Sequence, residues 1–131
     1  MRRSGWPSEA PPEGGGRRRT RLLFVCAQNR IRSLTAERMF RESQIYDVRS
    51  RGVARGARVR LTAADIAWAD AIFVMEKEHK DRMTENFGRD AARGKVTCLF
   101  IEDVYEAMEE SLVRELRSRL APHLALPDEQ A

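Results

Sequence analysis

Leu22 to Glu37 reads LLFVCAQNRIRSLTAE, and the order of residue types within it decides the fold. Leu22–Cys26 is an apolar run without alternation, the pattern of a short strand covered on both faces. Ala27–Arg32 is polar. Ala36, Met39 and Phe40 then fall at i, i+3, i+4, which predicts a helix from Ser33 to about Glu42. A buried strand ending on a cysteine, a polar loop and a helix opening on a serine make one βα unit.

Further units follow downstream. Ile45–Val48 reads as a second strand. Thr62 and Asp65 have the spacing of a capping box, opening a short helix through Trp68. Ala71–Met75 (AIFVM) is a third strand. Glu76–Phe87 carries His79, Met83 and Phe87 on one stripe, with Glu76/Lys80 and Glu78/Arg82 as i,i+4 pairs, so it reads as a helix. Val96–Ile101 is a fourth strand. Leu112, Leu116 and Leu120 mark a last helix, which Pro122 ends or kinks. The alternation predicts an α/β fold: a four-stranded parallel sheet of order 2-1-3-4, helices on both faces and right-handed crossovers. In that order the ligand site lies at the carboxyl end of strand 1, where Cys26 sits.

The chain has 131 residues, enough for one core. Residues 1–20, rich in Pro, Gly and Arg, read as a disordered tail. Residues 21–125 form the expected domain and 126–131 a flexible end. The longest apolar run, Leu22–Ala27, is far short of the roughly 20 residues a membrane helix needs. The N-terminus lacks the apolar stretch of a secretory signal. Two cysteines, Cys26 and Cys98, make no disulfide framework, and with only His79 and His123 they make no four-ligand zinc site. The expectation is a cytoplasmic protein without metal or cofactor. Charge is uneven: residues 1–60 carry 15 Arg against 5 acids, whereas residues 61–131 are net acidic. No nucleic-acid recognition motif accompanies the basic half, so nucleic acid ranks last among partners.

The loop from Ala27 to Ser33 can do chemistry. Between a strand and a helix N-terminus, its successive backbone N–H groups can turn inward and cradle a tetrahedral oxyanion. Ala27, Gln28, Asn29, Arg30, Ile31, Arg32 and Ser33 would form that cradle. Arg32 adds a planar fork matching two phosphate oxygens. A cysteine in such a field is favoured as the thiolate, a nucleophile aimed at phosphorus. Ser33 can donate a hydrogen bond to it, and Asn29 suits a loop position of unusual φ. On the motif alone, a small buried residue at a strand end accounts for Cys26 equally well. Asp103 follows strand 4 on the same edge of the sheet as Cys26. An ordinary solvated loop acid is the competing reading, and Glu102 and Glu109 are nearby substitutes.

CAQNRIRS, with LLFV before it and TAE after it, resembles the C-x-x-N-x-x-R-S signature of the low-molecular-weight protein tyrosine phosphatases. Phe73–Glu76 (FVME) resembles the family's third strand, and Ile101–Tyr105 (IEDVY) its general-acid loop. The resemblance covers Arg21 to Leu124. It implies a cysteine-dependent phosphatase: Cys26 as nucleophile, Arg32 as phosphate clamp, Asp103 as acid and then base, and Tyr105 walling the cleft. Its substrate would be a phosphorylated protein or a small phosphomonoester.

The sequence also departs from the pattern. Ile31 stands where many members have a second cysteine. Gln28 and Leu34 replace a frequent Gly and Pro, and Val104 replaces the Pro of the acid loop. The stretch from Ser50 to Thr62 is short and rich in arginine (Arg51, Arg55, Arg58, Arg60). Two other functions would use the same loop. One is arsenate reduction, for which Cys98, inside a strand and read as core, is a poor relay. The other is a catalytically weak phospho-ligand-binding module.

Overall fold

A computed structural model describes residues 18–127. Its elements alternate: β1 (Thr20–Cys26), α1 (Arg32–Met39), β2 (Tyr46–Gly52), α2 (Ala63–Trp68), β3 (Ala71–Val74), α3 (Lys77–Phe87), β4 (Val96–Cys98) and α4 (Glu110–Leu120). The strands form one sheet of order β2-β1-β3-β4, and every neighbouring pair is parallel. The expected architecture is therefore present. Of the expected tail, residues 1–17 lie outside the described residues. Arg18 is already ion-paired to Asp70 at 3.1 Å. Of the expected flexible end, 128–131 likewise lie outside.

The two-residue period of β1 divides the core. Leu22, Phe24 and Cys26 join Ala71, Phe73 and Met75 on one face, covered by Ala36 and Phe40 and by Leu112, Leu116 and Leu120 of α4. Leu23, Val25, Ile72 and Val74 face the other way, against Ile66 of α2 and Met83 of α3. Each fully buried Leu, Ile or Phe contributes about 1.5–3 kcal/mol. With both faces covered, β1 and β3 have no polar alternation to show.

Two strands differ from the sequence reading. β2 continues past Val48 to Gly52. Its polar residues are accommodated individually: Ser50 hydrogen-bonds Glu37, while Arg49 and Arg51 each reach Asp65 at 3.0 Å. β4 ends at Cys98 rather than Ile101. Beyond it, Leu99 N–H donates to Val74 O and Ile101 N–H to Met75 O, both at 2.8 Å. Two residues thus advance against one on β3, a bulge at Phe100. Phe100 takes φ 57° and turns outward, while Ile101 returns to the core.

Candidate active site

The strand ends converge. Cys26 closes β1 and is buried. Its Sγ lies 2.9 Å from Ser33 Oγ, the first interior residue of α1. Asn29 Nδ2 donates to the same Oγ at 2.8 Å. The serine lone pair is thereby engaged, and its own proton is free to point at sulfur. Among the described residues the other acceptor near that hydroxyl is Arg51 O at 3.4 Å, so the shorter contact to the sulfur dominates. Asn29 has φ 57°, the left-handed conformation expected of it, which asparagine tolerates. This backbone turn brings its amide beneath the loop. Its Oδ1 is buried without a partner among the described residues, an imbalance of about 1–3 kcal/mol.

The loop's carbonyls point outward, and the segment after β2 holds them there. Val53 N–H donates to Cys26 O at 3.0 Å, Ala54 N–H to Ala27 O at 2.9 Å and Arg58 N–H to Gln28 O at 2.9 Å. Arg58 Nε takes Asn29 O at 2.9 Å. With its carbonyls so engaged, the loop's N–H groups are left to the inner side, and α1 adds N-terminal groups without a side-chain cap. Gly52 makes this approach possible: a Cβ there would lie 2.5 Å from Ala27 O and from Ala57 Cβ. Gln28 and Arg30 expose their side chains, so they can serve a cradle only through the backbone.

Arg32 is buried, and its Nη1 is fully committed. It donates to Glu76 Oε2 at 2.6 Å and to Ile101 O at 2.8 Å. The first anchor follows β3 and the second lies at the end of the bulge. A guanidinium has five N–H donors in a rigid fork, so Nε–H and Nη2 remain to take two oxygens side by side. Asp103 is on that edge, its Oδ1 3.8 Å from Arg32 Nε, with a side chain 65% exposed. Tyr105 is half-buried and packs on the first core cluster. Met108 N–H donates to Thr35 Oγ1 at 3.0 Å, fastening the segment after Asp103 to α1.

Glu76 was not singled out from sequence as a partner of Arg32. A glutamate between a strand and a helix reads as a first-turn acid. Its position at the end of the strand beside β1 was the available signal. His79 supports it: its Nδ1 accepts the Glu76 N–H at 3.0 Å, which puts the ring proton on Nε2. Burial, and after it the Arg32 charge, lowers the His79 pKa to about 4. The unfolded chain therefore binds a proton that the folded chain refuses between pH 6.5 and about 4. Stability is expected to be intact above that window and to fall as pH drops through it. Urea midpoints measured across the window should show a shallower fall in His79→Gln than in wild type.

Glu76, Glu78 and His79 have ligand atoms within 4.8 Å of one another. Glu76 is committed to Arg32 and His79 Nδ1 to the backbone, so the cluster reads as the start of α3 rather than an ion site. Cys98 is half-buried against the second core cluster, on the sheet face opposite Cys26. A relay between the two sulfurs has no path in this arrangement.

No family model matches the chain, and no curated protein matches it. Solved structures do. A low-molecular-weight protein tyrosine phosphatase from Streptococcus pyogenes aligns with a TM-score of 0.66 at 15% identity, over 81% of this chain and 94% of its own. The Wzb protein of Vibrio vulnificus, solved with benzylphosphonate, aligns at 0.58 and 25% identity, over 76% and 91%. The YwlE arginine phosphatase of Geobacillus stearothermophilus aligns at 0.56 and 21% identity, over 82% and 99%. The chain has the low-molecular-weight protein tyrosine phosphatase fold. No helix among the described residues is long and apolar enough to cross a membrane.

Proposed function

We propose that this protein, built on the low-molecular-weight protein tyrosine phosphatase fold, is a phosphomonoester hydrolase working through a phosphocysteine. The reading rests on one observation above the others. Cys26 Sγ lies 2.9 Å from a serine hydroxyl free to donate to it, in a loop that also supplies Arg32 with one edge open.

The chemistry follows. The Cys26 sulfur attacks phosphorus in line, forming S–P as the bond to the leaving oxygen breaks. The three equatorial oxygens gain charge, which loop N–H groups and the Nε/Nη2 edge of Arg32 take up. Asp103 delivers its proton to the leaving oxygen. Water then attacks phosphorus, Asp103 takes its proton, and the S–P bond breaks to return the thiolate and inorganic phosphate. Ser33 stabilises the sulfur anion on departure. The chain's own residues carry each step without a metal ion. Cys98, on the opposite sheet face, gives arsenate reduction no second thiol within reach.

The test is turnover of p-nitrophenyl phosphate with EDTA present. Asp103→Asn sharpens it. Nitrophenolate leaves readily without a proton, whereas phenolate needs one. The substitution is expected to lower kcat on phenyl phosphate about 10²-fold, from the range for general acid catalysis, and to affect nitrophenyl phosphate much less. Equal losses on both would remove Asp103 from the acid's role. Tight phosphate binding without any turnover would favour the binding module.

A further inference from the structure

The sheet order places the segment after β2 and the segment after β4 on opposite sides of the Cys26 loop. The two walls differ in character. On the β2 side, Arg55, Arg58 and Arg60 are exposed, and Arg30 of the loop itself is exposed beside them. Among the described residues, none of these four has a carboxylate within ion-pair distance. Arg49 and Arg51, on β2 itself, share the single carboxylate of Asp65. The four arginines without a carboxylate partner lie on the loop and on the segment after β2, which the hydrogen bonds from Val53, Ala54 and Arg58 hold against the loop. Like charges gathered in this way repel one another and attract anions.

The other wall sets exposed apolar side chains among the exposed acids Glu102, Asp103 and Glu106, which disfavour an acidic flank on this side. Phe100 is 62% exposed, Val104 68% and Met108 43%. They account for all but Ile45 of the exposed large hydrophobic residues among those described. Phe100 and Met108 also have φ of 57° and 61°. A bulky residue in that conformation is strained, and here the strained backbone presents the apolar side chains to solvent.

Resting on the phosphatase reading above, we propose that the substrate is a phosphorylated polypeptide segment, acidic on one flank of the phosphoryl group and apolar on the other. The strands carrying the two walls are three spacings apart, about 14 Å at roughly 4.8 Å each. A ligand touching both must bridge that gap, as about four extended residues do and a sugar phosphate does not.

The experiment compares short phosphotyrosyl peptides that differ only in their flanks. An acidic–apolar peptide is expected to exceed its lysine-flanked counterpart about 10-fold in kcat/KM at low salt, by electrostatic steering. The advantage should shrink at about 0.5 M salt, where screening is strong. Arg55→Glu combined with Arg60→Glu should reverse the order while leaving kcat on nitrophenyl phosphate unchanged. Phe100→Asn, which keeps a residue tolerant of the left-handed conformation, should weaken only the apolar-flanked peptides. Binding of the same peptides to Cys26→Ser, read by calorimetry, reports the preference independently of turnover. Equal kcat/KM for acidic and lysine peptides, with nitrophenyl phosphate still hydrolysed, would overturn this inference and leave the phosphatase reading standing. So would a small bisphosphate that outperforms every peptide.

Discussion

Replacing Cys26 by serine is expected to bring nitrophenyl phosphate turnover to background, a loss on the order of 10⁴-fold or more, as for nucleophiles that act as one unit with their surroundings. The geometry explains why so small a change is severe. The Ser33 hydroxyl, 2.9 Å from sulfur, is oriented by Asn29 to donate, and a donor favours an anion. A serine hydroxyl in place of the Cys26 sulfur is a far weaker nucleophile, and no adjacent base stands ready to take its proton. The loop, the Arg32 anchors and the core face around Cys26 remain, so the variant should still bind inorganic phosphate. Steady-state kinetics together with phosphate titration check both halves. Metal-independent turnover surviving in Cys26→Ser would end the phosphocysteine mechanism.

Arg32→Lys is the second large effect, a loss in kcat/KM of roughly 10³-fold by comparison with the removal of preorganised donors elsewhere. The positive charge survives the change; the fork does not. Nη1 spends its two protons on Glu76 and Ile101 O, and only the planar geometry leaves a second edge for the phosphoryl oxygens. A lysine ammonium has three donors on one atom, so holding both anchors leaves at most one for substrate. Inhibition by inorganic phosphate should weaken in parallel. Unchanged phosphate affinity in Arg32→Lys would show that the open edge does not face the anion.

The sequence made the strand–loop–helix unit legible because apolar continuity, polarity and helical period change within a few residues at Cys26 and Ser33. The left-handed Asn29 was legible for the same local reason. Three features were not, and each depends on register. The outward carbonyls of the loop are held by Val53, Ala54 and Arg58, whose alignment follows from the pairing of Cys26 with Gly52. The Glu76–Arg32 bond joins residues 44 positions apart. The bulge at Phe100 lies inside CLFI, where consecutive apolar residues leave no alternation for an extra residue to break.

The site draws on the end of every strand: Cys26 after β1, Gly52 closing β2, Glu76 after β3 and Ile101 after β4. These positions recur at intervals of about 25 residues along the chain, so each crossover delivers one part. During synthesis nothing reactive is assembled until the last strand has left the ribosome and docked. Long-range parallel pairing of this kind is late and slow to form. The loop, the Arg32 anchors and Cys26 therefore come together only in the completed fold. Catalytic activity then doubles as a reporter of complete folding.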